Sequence, residues 1–246
     1  FAAHGLLCRD PAGRTRFAFV HGDWALNNSH PKGRHCGVDD ELRLLHQAGC
    51  YADFTMPAAP DPSHCRRVNA IYYAADTPGP QAHECGELMR ADTAAAAAPF
   101  TPQTWHDPGR LLLVQGPLGL NWRRRKLGLL PRLENGELSG ANPPTKDRFQ
   151  LWTNLGIHLP GKPDWIVIKL HTHGGIPRNM TTLLGDPMRR FYDALQAYGA
   201  PTSPLRLHFV TARELVNILH AAEAGLPGAP EQHTDSVYRR IPTPRP

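Results

Sequence analysis

Short apolar segments alternate with helix-like segments along most of this chain, and this alternation limits the possible folds more than any other feature. The clearest apolar segments are residues 17–20, 51–56, 111–115, 165–170 and 205–210, with a weaker candidate at 69–74. Continuous apolar runs are typical of strands that are buried on both faces, as in parallel sheets covered by helices. We therefore predict an α/β fold in which 165–170 is an interior strand of a largely parallel sheet.

Helix signals lie between these segments. Val38, Leu42 and Leu45 recur at helical spacing and are followed by Gly49, so this helix is predicted to end there. Two further helices are predicted, one ending before Gly156 and one spanning residues 187–198. Residues 211–214 (Thr-Ala-Arg-Glu) have the pattern of a capping box, which predicts the start of a last helix that ends before residue 225.

The chain is long for one domain but within the range of α/β barrels. We predict a single domain over residues 1–226, with a loop-rich insertion near 58–110. Residues 227–246 are rich in proline and are predicted to form a peripheral tail.

The net charge and the lengths of the apolar runs indicate which classes of binding partner to expect. The 27 Lys and Arg residues against 22 Asp and Glu give a net charge of +5, and residues 123–126 form the one basic run. We find no nucleic-acid-binding module and no apolar run near 18 residues, so neither nucleic acid nor a membrane is expected as a partner. A small molecule or a carbohydrate is the expected substrate, and the oligomeric state stays unknown.

Cysteine usage bears on the compartment and on metal chemistry. The five cysteines are odd in number and include no C-x-x-C pair. This pattern weakly favours a reducing compartment such as the cytoplasm, and it argues against a thiolate zinc site.

The first candidate site lies directly after the apolar segment 17–20. His21 and Asp23 are two residues apart, and an imidazole and a carboxylate at this spacing can share a divalent metal. The alternative interpretation is that His21 caps local backbone and Asp23 begins a turn.

The second candidate site follows the apolar segment 165–170. His171 and His173 lie two residues apart on the predicted strand, so both side chains would project to the same side. Two imidazoles at a strand end suit metal ligation or proton transfer near neutral pH. A purely structural pair of histidines is the alternative.

Other candidates are chosen for their position at or beyond predicted strand ends. Asp53 is a third catalytic candidate beside His171 and His173. Residues at strand ends and in the following loops are candidates for binding the substrate. The substrate-binding candidates are Trp24, Met56, Gln115, Asn121, Trp122, Arg125 and Glu134. Trp122 could stack on a sugar ring, although an aromatic residue in a loop more often belongs to a small local core.

No G-x-S-x-G elbow, P-loop, G-x-G-x-x-G or H-E-x-x-H motif is present, which disfavours serine hydrolases and nucleotide binding.

Several stretches together resemble a divergent branch of the polysaccharide deacetylase family, without that family's first acidic motif. They are residues 19–29 (FVHGDWALNNS), 36–38 (CGV), 49–57 (GCYADFTMP), 116–118 (GPL), 129–138 (LLPRLENGEL), 169–174 (KLHTHG) and 209–214 (FVTARE).

This resemblance implies an irregular (β/α) barrel of about seven strands, with a largely parallel sheet covered by helices. It also implies one divalent metal ion, zinc in the first place, with calcium or another ion as alternatives. His21 and Asp23 would lie on the metal side, and His171 or His173 would take the place of the family's acid. The implied reaction is the removal of acetyl groups from sugars.

Three functions stay open at this point. The first is a metal-dependent hydrolase of carbohydrate metabolism that removes acyl groups from carbohydrate. The second is a hydrolase of small esters or lactones on the same scaffold, because attack by activated water discriminates poorly among carbonyl compounds. The third is a catalytically inactive carbohydrate-binding or interaction domain.

Overall fold

The computed structural model describes residues 1–75, 82–91, 110–200 and 202–242. Contacts between Cα atoms divide the chain into two compact units. Unit 1 comprises Phe1–Gln115, His158–Trp165 and Val210–Pro246, and unit 2 comprises Gly116–Ile157 and Ile166–Phe209. Helices and a mixed sheet confirm the predicted α/β class. No helix in the described part of the chain is long and apolar enough to cross a membrane.

Unit 1 is built on a seven-stranded sheet with the order β5-β4-β6-β3-β2-β1-β9. The strands are β1 (Cys8–Arg9), β2 (Thr15–Phe19), β3 (Cys50–Asp53), β4 (Ile71–Ala75), β5 (Gly86–Leu88), β6 (Arg110–Val114) and β9 (Arg239–Arg240). The pairs β2–β3 and β3–β6 are parallel. The other four pairs are antiparallel, so the sheet is mixed rather than largely parallel.

The centre of this sheet is the part that the sequence predicts best. All four residues of β3 are buried, as expected for a strand covered on both faces. Helix α1 (Glu41–Gln47) contacts β3 and β6. Helix α5 (Ala212–Glu223) begins with the predicted capping box, in which Thr211 and Glu214 each bond the backbone N–H of the other. The core contains Leu26, Leu42, Cys50, Met56, Ala58, Cys65, Ala70, Tyr72, Ala74, Leu111 and Leu113.

The described strands form an open sheet with β5 and β9 at its edges, and they do not close into a barrel. The predicted strand at 165–170 is wrong, because these residues form no ladder. The N–H of Val167 donates to the carbonyl of Ile157 (2.7 Å), and His171 makes a single bridge to Glu137. The predicted strand at 205–210 is also wrong. Ile168, Leu170, Leu205 and Leu207 pack against a core, and neither segment pairs with a strand among the described residues.

Part of the predicted tail belongs to the sheet. Strand β9 pairs antiparallel with β1, and both Val237 and Tyr238 are buried. The side chain of Asn217 in α5 accepts hydrogen bonds from the N–H groups of Val237 (3.1 Å) and Tyr238 (2.7 Å). Tyr238 also stacks on Tyr51, with the ring centroids 4.3 Å apart. The prediction of a peripheral tail is therefore wrong for this segment.

The predicted insertion at 58–110 contributes strands to the same sheet. Strand β4, which confirms the weak strand candidate, lies between β5 and β6. Residues 76–81 and 92–109 of this segment lie outside the described residues.

Unit 2 combines a two-stranded antiparallel sheet with three helices. The hairpin strands are β7 (Gly119–Lys126) and β8 (Leu130–Glu134), and the helices are α2 (Lys146–Leu155), α3 (Pro177–Leu183) and α4 (Asp186–Tyr198). Leu138, Phe149, Trp152, Phe191 and Leu195 form its core. Asn121, Trp122, Arg125 and Glu134, which were predicted to lie in a loop, belong to the strands of this hairpin.

Candidate functional site

Three side chains that could hold a metal ion come together in unit 1, near the end of β2. His21, Cys36 and Glu41 each place a donor atom within 4.8 Å of the other two. Nε2 of His21 lies 3.8 Å from Oε1 of Glu41, and the thiol of Cys36 donates to Oε2 of Glu41 at 3.4 Å. All three residues are partly buried. An imidazole nitrogen, a thiolate and a carboxylate are all common zinc ligands.

Asn27 positions Glu41 within this group. The backbone N–H of Asn27 donates to Oε2 of Glu41 (2.7 Å), and its side-chain oxygen accepts from the N–H of Leu42 (3.2 Å). These two bonds connect the loop after β2 to the first turn of α1. The loop takes this path because Asn27 and Asn28 adopt left-handed conformations, with φ values of 54° and 53°. Asparagine tolerates this region better than most residues.

His21 is held from the side of β3. The backbone N–H of His21 donates to Oγ1 of Thr55 at 2.8 Å. The hydroxyl of Thr55 in turn donates to Oδ2 of Asp53 (2.8 Å), while its N–H donates to Oδ1 (2.9 Å). Asp53, which the sequence suggests as a catalytic residue, therefore supports the backbone at His21 through Thr55.

Electrostatics determine the protonation state of Cys36. Burial raises the pKa of the Cys36 thiol, and the negative charge of Glu41 acts in the same direction. The thiol is therefore protonated in the absence of a cation, and metal binding would release its proton. Cysteine usage alone argues against a thiolate ligand, yet the structure places Cys36 in this group.

Asp23, the predicted partner of His21, lies apart from this group. Its side chain is 68% exposed, and its Oδ2 lies 3.7 Å from Nδ1 of His35. The turn after β2 directs the two side chains differently, because Trp24 has a positive φ of 58° and its N–H bonds to the carbonyl of His21. The spacing of two residues would align side chains on a strand, but the chain turns here.

Three other predicted residues of unit 1 have structural roles. Met56 is buried in the core. The amide nitrogen of Gln115 donates to the carbonyl of Arg67 (2.8 Å) and to Sγ of Cys65 (3.2 Å), and its oxygen accepts from the N–H of Ala70 (3.1 Å). Gln115 thus cross-links the backbone between Cys65 and β4. Trp24 is partly buried and packs against the same core.

The remaining predicted residues lie in unit 2, where Glu134 forms a buried ion pair. Its carboxylate accepts from Nε (2.8 Å) and Nη2 (2.7 Å) of Arg148, and also from the N–H of Gly136 (3.0 Å). Hydrogen bonds from Arg148 outweigh the effect of burial and lower the pKa of Glu134. The Glu134 carboxylate therefore stabilises the fold through its ion pair with Arg148 and is not positioned to bind a substrate.

The hairpin residues differ in exposure. Asn121 is buried, and its side-chain oxygen accepts from the N–H groups of Arg123 and Arg124, both at 3.1 Å. Trp122 is exposed, and its carbonyl accepts from Nε of Arg125 (3.0 Å). The exposed indole remains a candidate ligand surface, whereas Asn121 shapes the bulge of β7.

His171 and His173 differ in their surroundings. His173 is exposed, whereas Nδ1 of His171 is buried without a hydrogen-bond partner among the described residues. Burial, reinforced by the positive charge of Lys169, lowers the pKa of His171 to about 4. The ring is therefore neutral at pH 7, where it suits a ligand or a proton acceptor better than an acid.

We expect His171 to make the folded protein sensitive to acid. The unfolded chain takes up a proton at this residue near pH 6.5, but the folded chain does so only near pH 4. The unfolded state binds more protons between these values, so stability falls as the pH falls through this window, by up to about 3 kcal/mol. Urea unfolding of the parent and of His171→Gln from pH 8 to pH 4 measures this contribution.

The control for this prediction is His173→Gln, which changes an exposed imidazole in the same segment. The free energy of unfolding of the parent should fall more steeply than that of His171→Gln between pH 6.5 and pH 4, and His173→Gln should follow the parent. A constant difference across the whole range would contradict the prediction.

Cys36 and Glu41 are not among the metal-site candidates that the sequence suggests. Glu41 begins a helix, where a carboxylate is common because it stabilises the helix N-terminus. Cys36 lies in a loop without a second nearby cysteine. The sequence does show that both residues follow His21 closely, Cys36 in the next loop and Glu41 at the start of the next helix. Their spacing matches no recognised metal-binding motif.

Comparison of the chain with protein-family models, with curated proteins and with solved structures finds no match.

Proposed function

We propose that this protein is a metal-dependent hydrolase with one zinc ion bound by His21, Cys36 and Glu41. The observation that carries the proposal is the convergence of three donor atoms of different chemistry within 4.8 Å of one another. They come from the end of β2, from the following loop and from the start of α1.

The donor set favours zinc over the alternatives. Calcium prefers oxygen ligands only, whereas a nitrogen and a sulfur donor are typical of zinc and related metals. Three protein ligands leave a fourth tetrahedral position open, as in catalytic rather than structural zinc sites. A zinc ion held in this way would activate water for attack on a carbonyl carbon.

The surrounding residues fit such a site. Thr55 and Asp53 fix the backbone at His21, and Asn27 fixes the carboxylate of Glu41. The side-chain nitrogen of Asn27 is fully buried and has no hydrogen-bond partner among the described residues. A buried donor of this kind is costly unless a further polar group lies against it. A bound water molecule beside this nitrogen would provide one.

The substrate class is proposed from the resemblance to polysaccharide deacetylases. We propose acyl groups, acetyl in particular, on carbohydrate, with small esters or lactones as the alternative. The irregular (β/α) barrel belongs to the same proposal. The parallel strands β2, β3 and β6 are the part of the open sheet that such a barrel would share.

A catalytically inactive domain is the second candidate. The hydrogen bonds from Cys36 and from the N–H of Asn27 to Glu41 favour it, because they hold the loop together without a metal. In that case His21, Cys36 and Glu41 would form a structural latch, that is, a set of hydrogen-bonded side chains that only connects the loop after β2 to α1.

The test is a metal titration followed by an activity panel. After treatment with a chelator, we expect the protein to bind one zinc ion per chain and to release a proton. Cobalt(II) substitution should give the intense near-ultraviolet band of thiolate coordination. Hydrolysis of acetylated oligosaccharides, small esters and lactones should disappear with the chelator and return with zinc. Binding without hydrolysis would support the inactive domain, and failure to bind any metal would overturn the proposal.

A further inference from the structure

The β7–β8 hairpin of unit 2 ends in an exposed apolar turn. We define the hairpin tip as residues 122–132. Leu127 and Leu129 are 87% and 78% exposed, and Trp122 and Leu130 are also exposed. Exposing a leucine side chain to water is energetically unfavourable. A group of large exposed apolar side chains at one tip therefore indicates a binding surface.

The backbone conformation of the turn is unfavourable for a leucine at position 127. Leu127 and Gly128 have φ values of 53° and 71°, and the N–H of Leu129 donates to the carbonyl of Lys126 at 3.2 Å. Two central residues with positive φ define a tight hairpin turn that favours asparagine or glycine at both positions. Leucine at the first position strains the turn, so folding does not account for its presence.

Positive charge surrounds this apolar turn. Arg125, Lys126 and Arg132 are exposed, and residues 119–133 contain no acidic residue. Arg123 pairs with Asp147 at the base of the hairpin. The nearest carboxylate along the chain, Glu134, is buried and neutralised by Arg148. Arg125, Lys126 and Arg132 of the hairpin tip are therefore exposed cations in a segment without acidic residues.

We propose that the hairpin tip binds the surface of an anionic phospholipid bilayer. Leu127, Leu129 and Leu130 would enter the interface between headgroups and acyl chains, while Lys126 and Arg132 would contact lipid phosphates. A nucleic acid or a soluble polyanion would use the cations but would leave the leucines in water. The absence of an apolar run long enough to span a bilayer, which led us to expect no membrane partner, bears on crossing and not on surface binding. This inference is independent of the proposed hydrolase function.

Vesicle flotation tests the inference on the full chain. We expect binding to vesicles of phosphatidylcholine with about 30% phosphatidylglycerol, weak binding to phosphatidylcholine alone, and loss of binding at high salt. The Lys126→Gln/Arg132→Gln variant should reduce the partition coefficient at least about fivefold on the anionic vesicles. The Leu127→Asn/Leu129→Asn variant should reduce it at least about tenfold.

The leucine variant separates docking from folding, because asparagine suits the left-handed position 127 and should leave the turn intact. Leu184→Asn is the matched control, since Leu184 is 74% exposed in the same unit and lies outside the hairpin. It should bind vesicles like the parent. Vesicle binding that is insensitive to the leucine variant, or equal on neutral vesicles, would overturn the inference. So would binding of a single-stranded oligonucleotide that competes with vesicles regardless of the leucines, or self-association in light scattering that the leucine variant abolishes.

Discussion

Replacing Arg148 with alanine is expected to lower the free energy of unfolding by about 3–5 kcal/mol. Arg148 is fully buried, and its guanidinium binds Glu134 through two nitrogens. It also donates to the carbonyls of Asn142 (2.6 Å), Pro143 (3.0 Å) and Glu137 (2.6 Å). Removing this one side chain leaves the buried carboxylate without its counter-charge and takes one hydrogen-bond donor from each of the three backbone carbonyls.

Urea unfolding at pH 7 measures this effect, with Asp147→Ala as the control. Asp147 lies next to Arg148 in the chain and pairs with Arg123, but both partners of that pair are more than half exposed. Its loss should cost about 0–1 kcal/mol, because water screens exposed ion pairs. Equal effects of the two substitutions would contradict the structural role of Arg148.

The same ion pair predicts a dependence on pH. The pKa of Glu134 is lowered in the folded state from its ordinary 4.5. The stability that it contributes is therefore present above pH 4.5 and is lost as the pH falls through the lowered value. Arg148→Ala should show a weaker acid dependence than the parent. Such a dependence would be that of a carboxylate that stabilises the fold through Arg148.

The second large effect is expected at the metal site. Cys36→Ala and Glu41→Gln should each weaken zinc binding at least about 100-fold, because each removes one of three protein ligands. Asp23→Asn should leave zinc affinity unchanged, since its carboxylate is exposed and lies beside His35. Competition against a chromophoric chelator measures the affinities of all three variants.

These substitutions distinguish the structural ligand set from the pair suggested by sequence spacing. Glu41→Gln is the sharper variant, because the amide oxygen can still accept the N–H of Asn27 and keep the loop in place. Urea unfolding without metal should therefore be little changed by it. If Asp23→Asn loses zinc while Glu41→Gln retains it, the His21–Asp23 pair is the true site and the group around Glu41 is a structural latch.

Local interactions explain what could be predicted from the sequence. The start of α5 follows from Thr211 and Glu214, whose mutual hydrogen bonds close within one turn of helix. The positions of β2, β3 and β6 follow from continuous apolar runs, because such runs are stable only when buried on both faces. The position of His21 just beyond the end of β2 follows for the same reason.

Long-range pairing explains what only the tertiary structure decided. Residues 165–170 are as apolar as a central strand, but a strand also needs a neighbour that runs beside it, and apolar character does not specify one. The candidate ligands Cys36 and Glu41 reach His21 because left-handed residues redirect the loop after β2 and Asn27 fastens it to α1. The sequence alone determined which residues are apolar, charged or able to bind metal. The folded backbone determined which of them meet, because a contact between distant residues depends on the whole path of the chain between them.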